Sequence, residues 1–258
     1  MRIISVNTNG IRAAARKGFF DWMLKQNADV VCIQETKAQQ HQLSDPVFSP
    51  AGYQRYFHDA RKKGYSGVAI YTPHEPDKVH YGIGWEVMDD EGRWLRADFG
   101  NLSVISLYMQ SGSSKEERQQ LKYRTMDYLQ PLLKDMASEG REYVICGDWN
   151  IAHKKIDIKN WRGNQKNSGF LPEERAWMDE LFGPVGMVDA FRQVEAGEHQ
   201  YTWWSNRGQA WANNTGWRID YHVTTPAVAA TARAVEIYKE ERFSDHAPLT
   251  IDYDYQIR

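Results

Sequence analysis

The sequence predicts a mixed α/β domain, and three observations support this prediction. Apolar runs of strand length alternate with longer runs of helical pattern along all 258 residues. The strand-like runs Trp94–Phe99 and Ser103–Tyr108 are paired through Gly100-Asn101, and the three residues between them are far too few for the crossover that a parallel pair needs. No repeat or low-complexity linker divides the chain, so we expect residues 1–258 to form a single domain.

The first half of the chain is predicted to contain mainly strands. Ile3–Val6 forms a short strand, residues 12–26 form a helix, and Val30–Gln34 forms a buried strand. The apolar run Val68–Tyr71 forms the next strand, and the hairpin described above follows it. This order favours a mixed sheet over a doubly wound parallel sheet, in which helices and strands alternate regularly.

The second half is predicted to contain two long helices, over residues 115–137 and 172–182. Pro172 lies in the first turn of the second helix, where its missing N–H group is not needed. The acidic residues Glu173 and Glu174 then face the positive end of the helix dipole. The strands expected in this half are Tyr143–Cys146, Ile219–Thr224 and Leu249–Tyr253.

Composition and patterning limit the class of protein. Hydrophobic residues make up 41% of the chain, which is enough for a folded core. No apolar run approaches the ~18 residues of a membrane helix, and the N-terminus lacks a signal-peptide pattern, so we expect a cytoplasmic protein without a membrane segment. Cys32 and Cys146 lie inside apolar runs without further Cys or His ligands, which favours reduced core thiols over a disulfide or a metal site.

The net charge of −2 is weak evidence against nucleic-acid binding, because many dedicated binders are strongly basic. A local basic face is still available if acidic site residues offset its charge elsewhere in the chain. Each cluster taken alone is more often solvated surface. The clusters in question are Arg61-Lys62-Lys63 and the group Lys154, Lys155, Lys159, Arg162 and Lys166.

Polar residues that border apolar strands are the main functional signal. They occur in the motifs SVNTNG, CIQET, CGDWN, GWRIDY and FSDHAPL, and each alone could be an ordinary cap or turn residue. Together they indicate a site, because the ends of strands in a rigid sheet commonly hold catalytic groups. Four of these residues follow strands, one lies early in its strand and two precede the last strand: Asn7, Glu35, Tyr108, Asp148, Asp220, Asp245 and His246.

These residue types favour metal-assisted hydrolysis of a phosphodiester. Carboxylates are hard oxygen ligands suited to Mg²⁺, with Mn²⁺ as a substitute, whereas the absence of Cys and His clusters argues against zinc. His246 could pair with a carboxylate, and the protonated imidazole could then contact a phosphate oxygen. Motifs of the forms GxSxG, GxxxxGK[ST] and GxGxxG are absent, which disfavours acyl transfer and nucleotide-dependent transfer.

Motifs along nearly the whole chain resemble the exonuclease III-type AP endonucleases of the endonuclease/exonuclease/phosphatase superfamily. They include MRIISVNTNGIR, IQETK, GYSGVA, CGDWNIAH, KNWRGNQKNSGFLPEER, YTWWSNR, GWRIDY and FSDHAPL. The resemblance implies a four-layer α/β sandwich, in which two mixed β-sheets pack face to face beneath outer helices. It also implies a monomeric Mg²⁺-dependent enzyme that acts on double-stranded DNA. Such an enzyme cleaves 5′ to abasic sites and trims blocked 3′ ends as a 3′-phosphodiesterase, phosphatase or 3′→5′ exonuclease.

The resemblance further implies a role for residues on the metal side of the site. Glu35 would bind the metal, Asn7 would lie close to it, and Asp245 would support it. Asp148 would orient or deprotonate the attacking water, and Asn150 would position water or phosphate. Asn9 stands where some family members carry a second acidic residue, and the number of metal ions therefore stays open.

Roles on the DNA side are implied in the same way. His246, held by Asp220, would contact the scissile phosphate, and Tyr108 would contact the phosphate or the leaving group. Asn164 and Asn167 would meet the DNA around the target phosphate. An apolar pocket for the extruded abasic sugar would be formed by Trp203, Trp217 and Ile219, whose alternative role is core packing.

Two other functions remain open at the level of sequence. The chain also resembles the catabolite repression control protein, a relative that acts in RNA regulation without nuclease chemistry. In that relative the catalytic positions are degraded, whereas QET, GDWN, RID and SDH are complete here, which favours the enzyme. A phosphatase or phosphodiesterase for a small molecule or lipid is compatible with the superfamily chemistry, although GNQKNSG and YTWW favour DNA.

Overall fold

The computed structural model describes residues 1–257 and contains two six-stranded sheets and a short two-stranded ribbon. The strands in chain order are β1 (Arg2–Asn7), β2 (Val30–Gln34), β3 (Gln54–His58), β4 (Val68–Thr72), β5 (Lys78–Tyr81), β6 (Trp94–Phe99), β7 (Leu102–Tyr108), β8 (Glu142–Asp148), β9 (Val188–Asp189), β10 (Trp203–Trp204), β11 (Gly216–Trp217), β12 (Asp220–Thr224), β13 (Ala232–Ile237) and β14 (Leu249–Tyr253).

Eight α-helices connect or cover these strands in the described part of the chain. They are α1 (Ile11–Arg16), α2 (Phe19–Lys25), α3 (Glu86–Asp89), α4 (Glu116–Ser138), α5 (Trp161–Asn164), α6 (Pro172–Phe182), α7 (Ala190–Val194) and α8 (Pro226–Ala229). Short 3₁₀ helices occur at Gln40–Gln42, Pro46–Phe48 and Lys155–Asp157.

Both large sheets are mixed. Sheet 1 has the order β13-β14-β1-β2-β4-β3, and sheet 2 has the order β5-β6-β7-β8-β12-β9. The pairs β1–β2 and β7–β8 are parallel, and the neighbouring pairs within each sheet are antiparallel. The predicted hairpin of β6 and β7 is confirmed, with Phe99 opposite Leu102.

The two sheets pack face to face through one apolar layer. Sheet 1 contributes side chains such as Val30 and Ile70 to this layer, and sheet 2 contributes Val104 and Val144. A second cluster covers the outer face of sheet 1 with residues of α1 and α2, and a third covers the outer face of sheet 2 with residues of α4 and α6. This order of helices, sheet, sheet and helices confirms the expected four-layer α/β sandwich.

Most predicted elements have the observed bounds within one or two residues. The single helix expected over residues 12–26 is wrong. The chain instead forms α1 and α2, which are separated because Gly18 adopts a left-handed backbone conformation with φ of 85°. Glycine reaches this conformation without steric cost, so it ends one helix and redirects the next.

The sequence analysis missed six strands: the two-residue strands β9, β10 and β11, and the longer strands β3, β5 and β13. Each of the three longer strands lies at the edge of a sheet and leaves several side chains half-buried or exposed. An edge strand with one covered face lacks the continuous apolar run by which central strands are recognised.

Cys32 and Cys146 are buried and free, as expected for core thiols. They lie on β2 and β8, in the layer between the two sheets. Among residues 1–257, no helix has the length and hydropathy needed to cross a membrane.

We predict that Gly147→Ala lowers the free energy of unfolding by about 3 kcal/mol, because added core volume forces backbone shifts. A Cβ at Gly147 would lie 1.9 Å from the carbonyl oxygen of Leu107 on the paired strand β7. Urea denaturation followed by circular dichroism measures the change. Gly163→Ala is the matched control, since its Cβ would meet no atom within 4 Å. Equal stability of the two variants would contradict the prediction.

Candidate active site

A cleft of about 1260 Å³ opens at the end of the sandwich where β7 and β8 end. All predicted site residues line this cleft except Asn7 and Asp220, which are buried behind it. The residues that line it are Glu35, Tyr108, Asp148, Asn150, Asp245, His246, Asn164, Asn167, Trp203, Trp217 and Ile219.

Strand pairing brings the polar residues together. Tyr108 pairs with Asp148 at the ends of the parallel strands β7 and β8, and Asp148 pairs with Asp220 at the start of the antiparallel strand β12. In sheet 1, Asn7 ends β1 opposite the last residue of β2, and Glu35 follows directly. Both sheets therefore present their polar termini to the same cleft.

Asp148, His246 and Asp220 form a buried charged triad. The His246 Nδ1 atom lies 2.9 Å from Asp220 Oδ2, and its Nε2 atom lies 3.7 Å from Asp148 Oδ2. Burial alone would lower the pKa of His246, but the negative charges of Asp220 and Asp148 raise it to about 10. The imidazole is therefore protonated at neutral pH.

Burial also raises the pKa of Asp148, to about 7, although the charge of His246 opposes this rise. The carboxylate accepts hydrogen bonds from the Asn7 Nδ2 and Asn150 N atoms, each at 2.9 Å. Asp148 is thus a carboxyl group that can gain or lose a proton near neutral pH, as a general base requires.

Asn7 links the triad to Glu35, the residue predicted to bind the metal. Its side-chain amide donates to Glu35 Oε1 and to Asp148 Oδ2, both at 2.9 Å. Its Oδ1 atom accepts the backbone N–H of Asn9. In this arrangement one buried amide separates two carboxylates that would otherwise repel each other.

A chain of polar contacts extends from Glu35 to Asp245. Lys37 Nζ lies 3.0 Å from Glu35 Oε2 and donates to Asn9 Oδ1, and Asn9 Nδ2 donates to Asp245 Oδ1 at 3.1 Å. The Trp203 Nε1 atom donates to the other oxygen of Asp245, also at 3.1 Å. Burial alone would raise the pKa of Glu35, but Lys37, Asn7 and a hydrogen bond from Tyr108 hold it below its usual value.

Two groups of residues could be considered for a metal ion. Ligand atoms of Asp148, Asp220 and His246 lie within 4.8 Å of one another, but a protonated imidazole has no free lone pair for a metal. Glu35 and Asp245 offer carboxylate oxygens at the cleft surface, and the Lys37 ammonium group already lies against Glu35. The donor chemistry therefore fits a hard cation at Glu35 and Asp245 better than at the triad.

Tyr108 is held by a residue that the sequence analysis missed. The Arg93 guanidinium lies 4.5 Å from the centre of the Tyr108 ring, donates to the Tyr108 backbone carbonyl and pairs with Glu91. Burial, followed by the nearby charge of Glu35, raises the pKa of Tyr108 well above its usual value. The phenol is therefore protonated and can donate a hydrogen bond.

Asn150 adopts a left-handed backbone conformation, with φ of 52°. Its Nδ2 atom donates to the carbonyl oxygen of Met109 at 2.8 Å, and its carbonyl oxygen accepts from Lys122 Nζ. These two contacts and the hydrogen bond from the Asn150 N–H to Asp148 fix a backbone conformation that costs energy in a residue other than glycine.

The wider part of the cleft contains the residues assigned to DNA. Asn167 Nδ2 donates to Asn164 Oδ1 at 2.8 Å, which places the two amides side by side at the rim. The rings of Trp203 and Trp217 meet edge to face, with centroids 6.0 Å apart, and pack with Ile219. The aromatic side chains are partly buried, so they belong to a small apolar cluster and also form the cleft wall.

Basic residues lie beside this wall, while some of the predicted basic side chains are neutralised. Arg61 pairs with Asp90, and Lys154 pairs with Asp179. Lys166 lines the cleft. Lys155 and Arg162 both lie over the ring of Trp161, at 4.2 and 4.5 Å from its centre. The basic face is thus narrower than the sequence suggested and adjoins Asn164 and Asn167.

Comparison with known proteins identifies the family. A model of the endonuclease/exonuclease/phosphatase family matches residues 4–246. The chain belongs to the endonuclease/exonuclease/phosphatase family. It is 38% identical over 255 residues to an exodeoxyribonuclease of Bacillus subtilis, a match that covers 97% of this chain and 98% of the relative.

Solved structures of the family have the same fold. An AP endonuclease from Archaeoglobus fulgidus is 28% identical, with a TM-score of 0.89, and the match covers 99% of this chain and all of that one. A 3′ phosphatase from Neisseria, solved with a product DNA hairpin, is 26% identical, with a TM-score of 0.88 and the same coverage. The expected family and fold are therefore confirmed.

The sequence analysis missed several residues that shape this family site. Lys37 lies within the ETK motif, two positions after Glu35, and this spacing was an available signal. Thr202 gave no such signal, yet its Oγ1 atom accepts the backbone N–H groups of Ile219 and Asp220. Arg93 resembled an ordinary charged residue, because its burial depends on contacts between distant parts of the chain.

We predict that Asp220→Asn lowers the pKa of His246 by about 1 to 3, because an opposite charge in contact is removed. The parent ring should remain protonated until about pH 10. Histidine NMR titration measures the change, and His246→Asn identifies the signal by its loss. His222 is the internal control, because burial lowers its pKa to about 3 in both proteins. An unchanged His246 titration would contradict the assignment of Asp220 as its charge partner.

Proposed function

We propose that this protein is a Mg²⁺-dependent DNA repair nuclease that cleaves 5′ to abasic sites and trims blocked 3′ ends. The observation that carries the proposal is the buried triad of Asp148, His246 and Asp220 beside the carboxylates Glu35 and Asp245. Similarity to an exodeoxyribonuclease, an AP endonuclease and a 3′ phosphatase supports the same assignment. Action as one catalytic domain, as a monomer and in the cytoplasm stays a prediction.

In the triad, His246 provides a positive charge for the phosphate, and Asp148 acts as the base for the attacking water. The protonated His246 donates from Nε2 to a phosphate oxygen, where negative charge increases in the transition state. Asp148 accepts a proton from the attacking water, and Asn150 orients that water or the phosphate. The water oxygen bonds to phosphorus as the bond between phosphorus and the 3′ oxygen breaks. The water proton passes to Asp148, and the leaving 3′ oxygen takes a proton from solvent.

Tyr108 and the proposed metal ligands stabilise the negative charge on the leaving oxygen and the phosphoryl oxygens. The neutral Tyr108 hydroxyl can donate a hydrogen bond to the leaving oxygen or the phosphate. Glu35 and Asp245 would hold Mg²⁺, with Asn7 close by, and the bound ion would supply electrostatic stabilisation of the phosphoryl oxygens. Mn²⁺ shares the preference for oxygen ligands and is expected to substitute.

The apolar wall of the cleft favours an abasic site over an intact nucleotide as the substrate. An abasic deoxyribose turned out of the duplex presents a small, weakly polar surface, which suits the apolar cluster of Trp203, Trp217 and Ile219. An intact nucleotide would need additional room for its base. Asn164 and Asn167 lie at the rim, where they can donate to the backbone of the same strand.

The rival function, RNA regulation without cleavage, accounts poorly for the site. Asp148 and Asp220 are each 1% exposed. Burying two carboxylates with one imidazolium is destabilising, and a protein that only binds RNA gains nothing from it. The cleft also exposes Glu35 and Asp245, whose charges would repel RNA phosphates without a metal ion.

We predict Mg²⁺-dependent nicking of a labelled duplex that contains one abasic analogue, with a 3′-hydroxyl at the cut. A duplex with a 3′-phosphate and a duplex with a plain recessed end measure the two 3′-trimming activities in parallel. Chelation should abolish all cleavage, and Mn²⁺ should restore it. Absence of cleavage with either metal, together with tight binding of single-stranded RNA, would favour the RNA-binding regulator.

We predict that Asp148→Asn lowers kcat by a factor of about 10² to 10⁴, because the general base is lost. Duplex affinity should be retained, and fluorescence anisotropy measures it. In the parent enzyme, kcat should rise as Asp148 loses its proton near pH 7 and fall as His246 loses its proton near pH 10. The rise near pH 7 should be absent from the residual activity of Asp148→Asn. A parent rate that is constant across this range would contradict these roles.

A further inference from the structure

Lys122 and Glu174 form a completely buried ion pair behind the cleft. Lys122 lies on α4 and Glu174 on α6, both side chains are 0% exposed, and Nζ lies 2.6 Å from Oε1. Such pairs are unusual, because both charges lose their hydration, and apolar residues of similar volume often stabilise a protein equally well. Stability alone therefore gives no reason for a charged pair at this position.

Each partner of the Lys122–Glu174 pair holds the backbone of a different site loop. Lys122 Nζ donates to the carbonyl oxygen of Asn150 at 2.8 Å. Glu174 Oε2 accepts the backbone N–H groups of Gly169 at 2.6 Å and Leu171 at 3.1 Å. The ion pair thus connects two segments. One is the loop after β8 that carries Asn150, here called the catalytic loop. The other runs from the end of α5 to the start of α6, carries Asn164 and Asn167, and is here called the rim loop.

The two loops also touch directly at Gly169. The backbone N–H of Ala152 donates to the Gly169 carbonyl oxygen at 2.7 Å. A Cβ at Gly169 would lie 3.0 Å from the ring of Trp217 and 3.1 Å from the carbonyl oxygen of Asn150. The catalytic loop, the rim loop and the Trp217 wall of the pocket therefore all meet at Gly169.

A charged pair is suited to this task. The ammonium group and the carboxylate each make charge-assisted hydrogen bonds, which are shorter and more directional than apolar contacts. Gln119 adds a further hydrogen bond to Glu174 Oε1, from Nε2 at 3.1 Å. The carbonyl oxygen of Asn150 and the N–H of Gly169 are thus linked through two residues, Lys122 and Glu174.

We propose that Lys122 and Glu174 are positioning residues that fix the distance between the catalytic loop and the DNA-contacting rim loop. The inference rests on the proposed function, in which Asn150 acts at the scissile phosphate and Asn167 contacts the flanking DNA. Neither Lys122 nor Glu174 touches the substrate in this proposal. Their effect on cleavage passes through Asn150 on one side and through Gly169 on the other.

The test replaces the pair by a neutral one of similar volume, Lys122→Met/Glu174→Gln. Glutamine keeps an oxygen for the Gly169 N–H, but the carbonyl oxygen of Asn150 loses its donor. We expect a folded protein whose kcat on the abasic duplex falls at least about tenfold, because small displacements of positioning groups have effects of this size or larger. Arg96→Met/Asp98→Asn, at the hairpin end of β6 remote from the cleft, is the matched control and should retain parent kcat.

A double-mutant cycle with Asn167→Ala separates positioning from general stability. In the parent, Asn167→Ala should raise KM by about tenfold, whereas in the neutral-pair variant it should raise KM by only about twofold, since Asn167 is no longer held in place. If the ion pair only stabilised the fold, Asn167→Ala would raise KM by the same factor in the parent and in the neutral-pair variant. If the neutral-pair variant fails to fold, Glu174→Gln alone replaces it in the same cycle.

Amide hydrogen exchange distinguishes failure of this inference from failure of the proposed function. In the neutral-pair variant the Gly169 N–H keeps only a neutral acceptor, which forms a weaker hydrogen bond than a carboxylate does. Protection of the Gly169 and Ala152 amides should therefore fall in this variant and persist in the Arg96/Asp98 control. If the parent cleaves no DNA but this protection falls, the proposed function is wrong and the linkage between the loops stands. Unchanged protection, or unchanged kcat and KM effects in an active protein, would overturn the inference.

Discussion

The constraint on which the site depends is the burial of two carboxylates against a single imidazole. Asp148 and Asp220 lie on either side of His246, and the group carries more negative than positive charge when all three are ionised. In a medium of low polarity, such an excess is stabilised only by directed hydrogen bonds. The Asn7 side chain and the Asn150 backbone donate such bonds to Asp148. Burial raises the pKa of Asp148, and the two carboxylates raise the pKa of His246.

The sandwich architecture makes this balance possible. Asp148 ends β8 and Asp220 begins β12, and the apolar residues of both strands are packed in the clusters on the faces of sheet 2, so the backbone beneath the two carboxylates cannot move independently. The absence of a side chain at Gly147 lets β8 approach β7 closely at the position before Asp148. The precision of the site therefore comes from sheet packing, and the loops add orientation at its rim.

Much of this could be predicted from the sequence, and the reasons for the misses are physical. Glu35, Asp148 and His246 were recognisable because a polar residue beside an apolar strand is a local pattern. The break at Gly18 was missed, since a helical pattern of apolar residues continues across it. Lys122 and Glu174 are 52 positions apart, and no local pattern marks two surface-type residues that fold into the interior. The edge strands were missed for the opposite reason, because their exposure makes them resemble loops.

The position of Lys37 bears on whether the chain needs a metal ion in order to fold. Its ammonium group lies against Glu35 and Asn9, so the acidic side of the cleft carries a positive charge that belongs to the chain itself. Some small metalloproteins bind their ion as they fold and are unfolded without it. Under the proposal that Glu35 binds a divalent ion, the Lys37 ammonium group balances the charge of Glu35 in the folded chain before the ion binds. The supply of metal ions would then limit the reaction and leave the amount of folded protein unaffected.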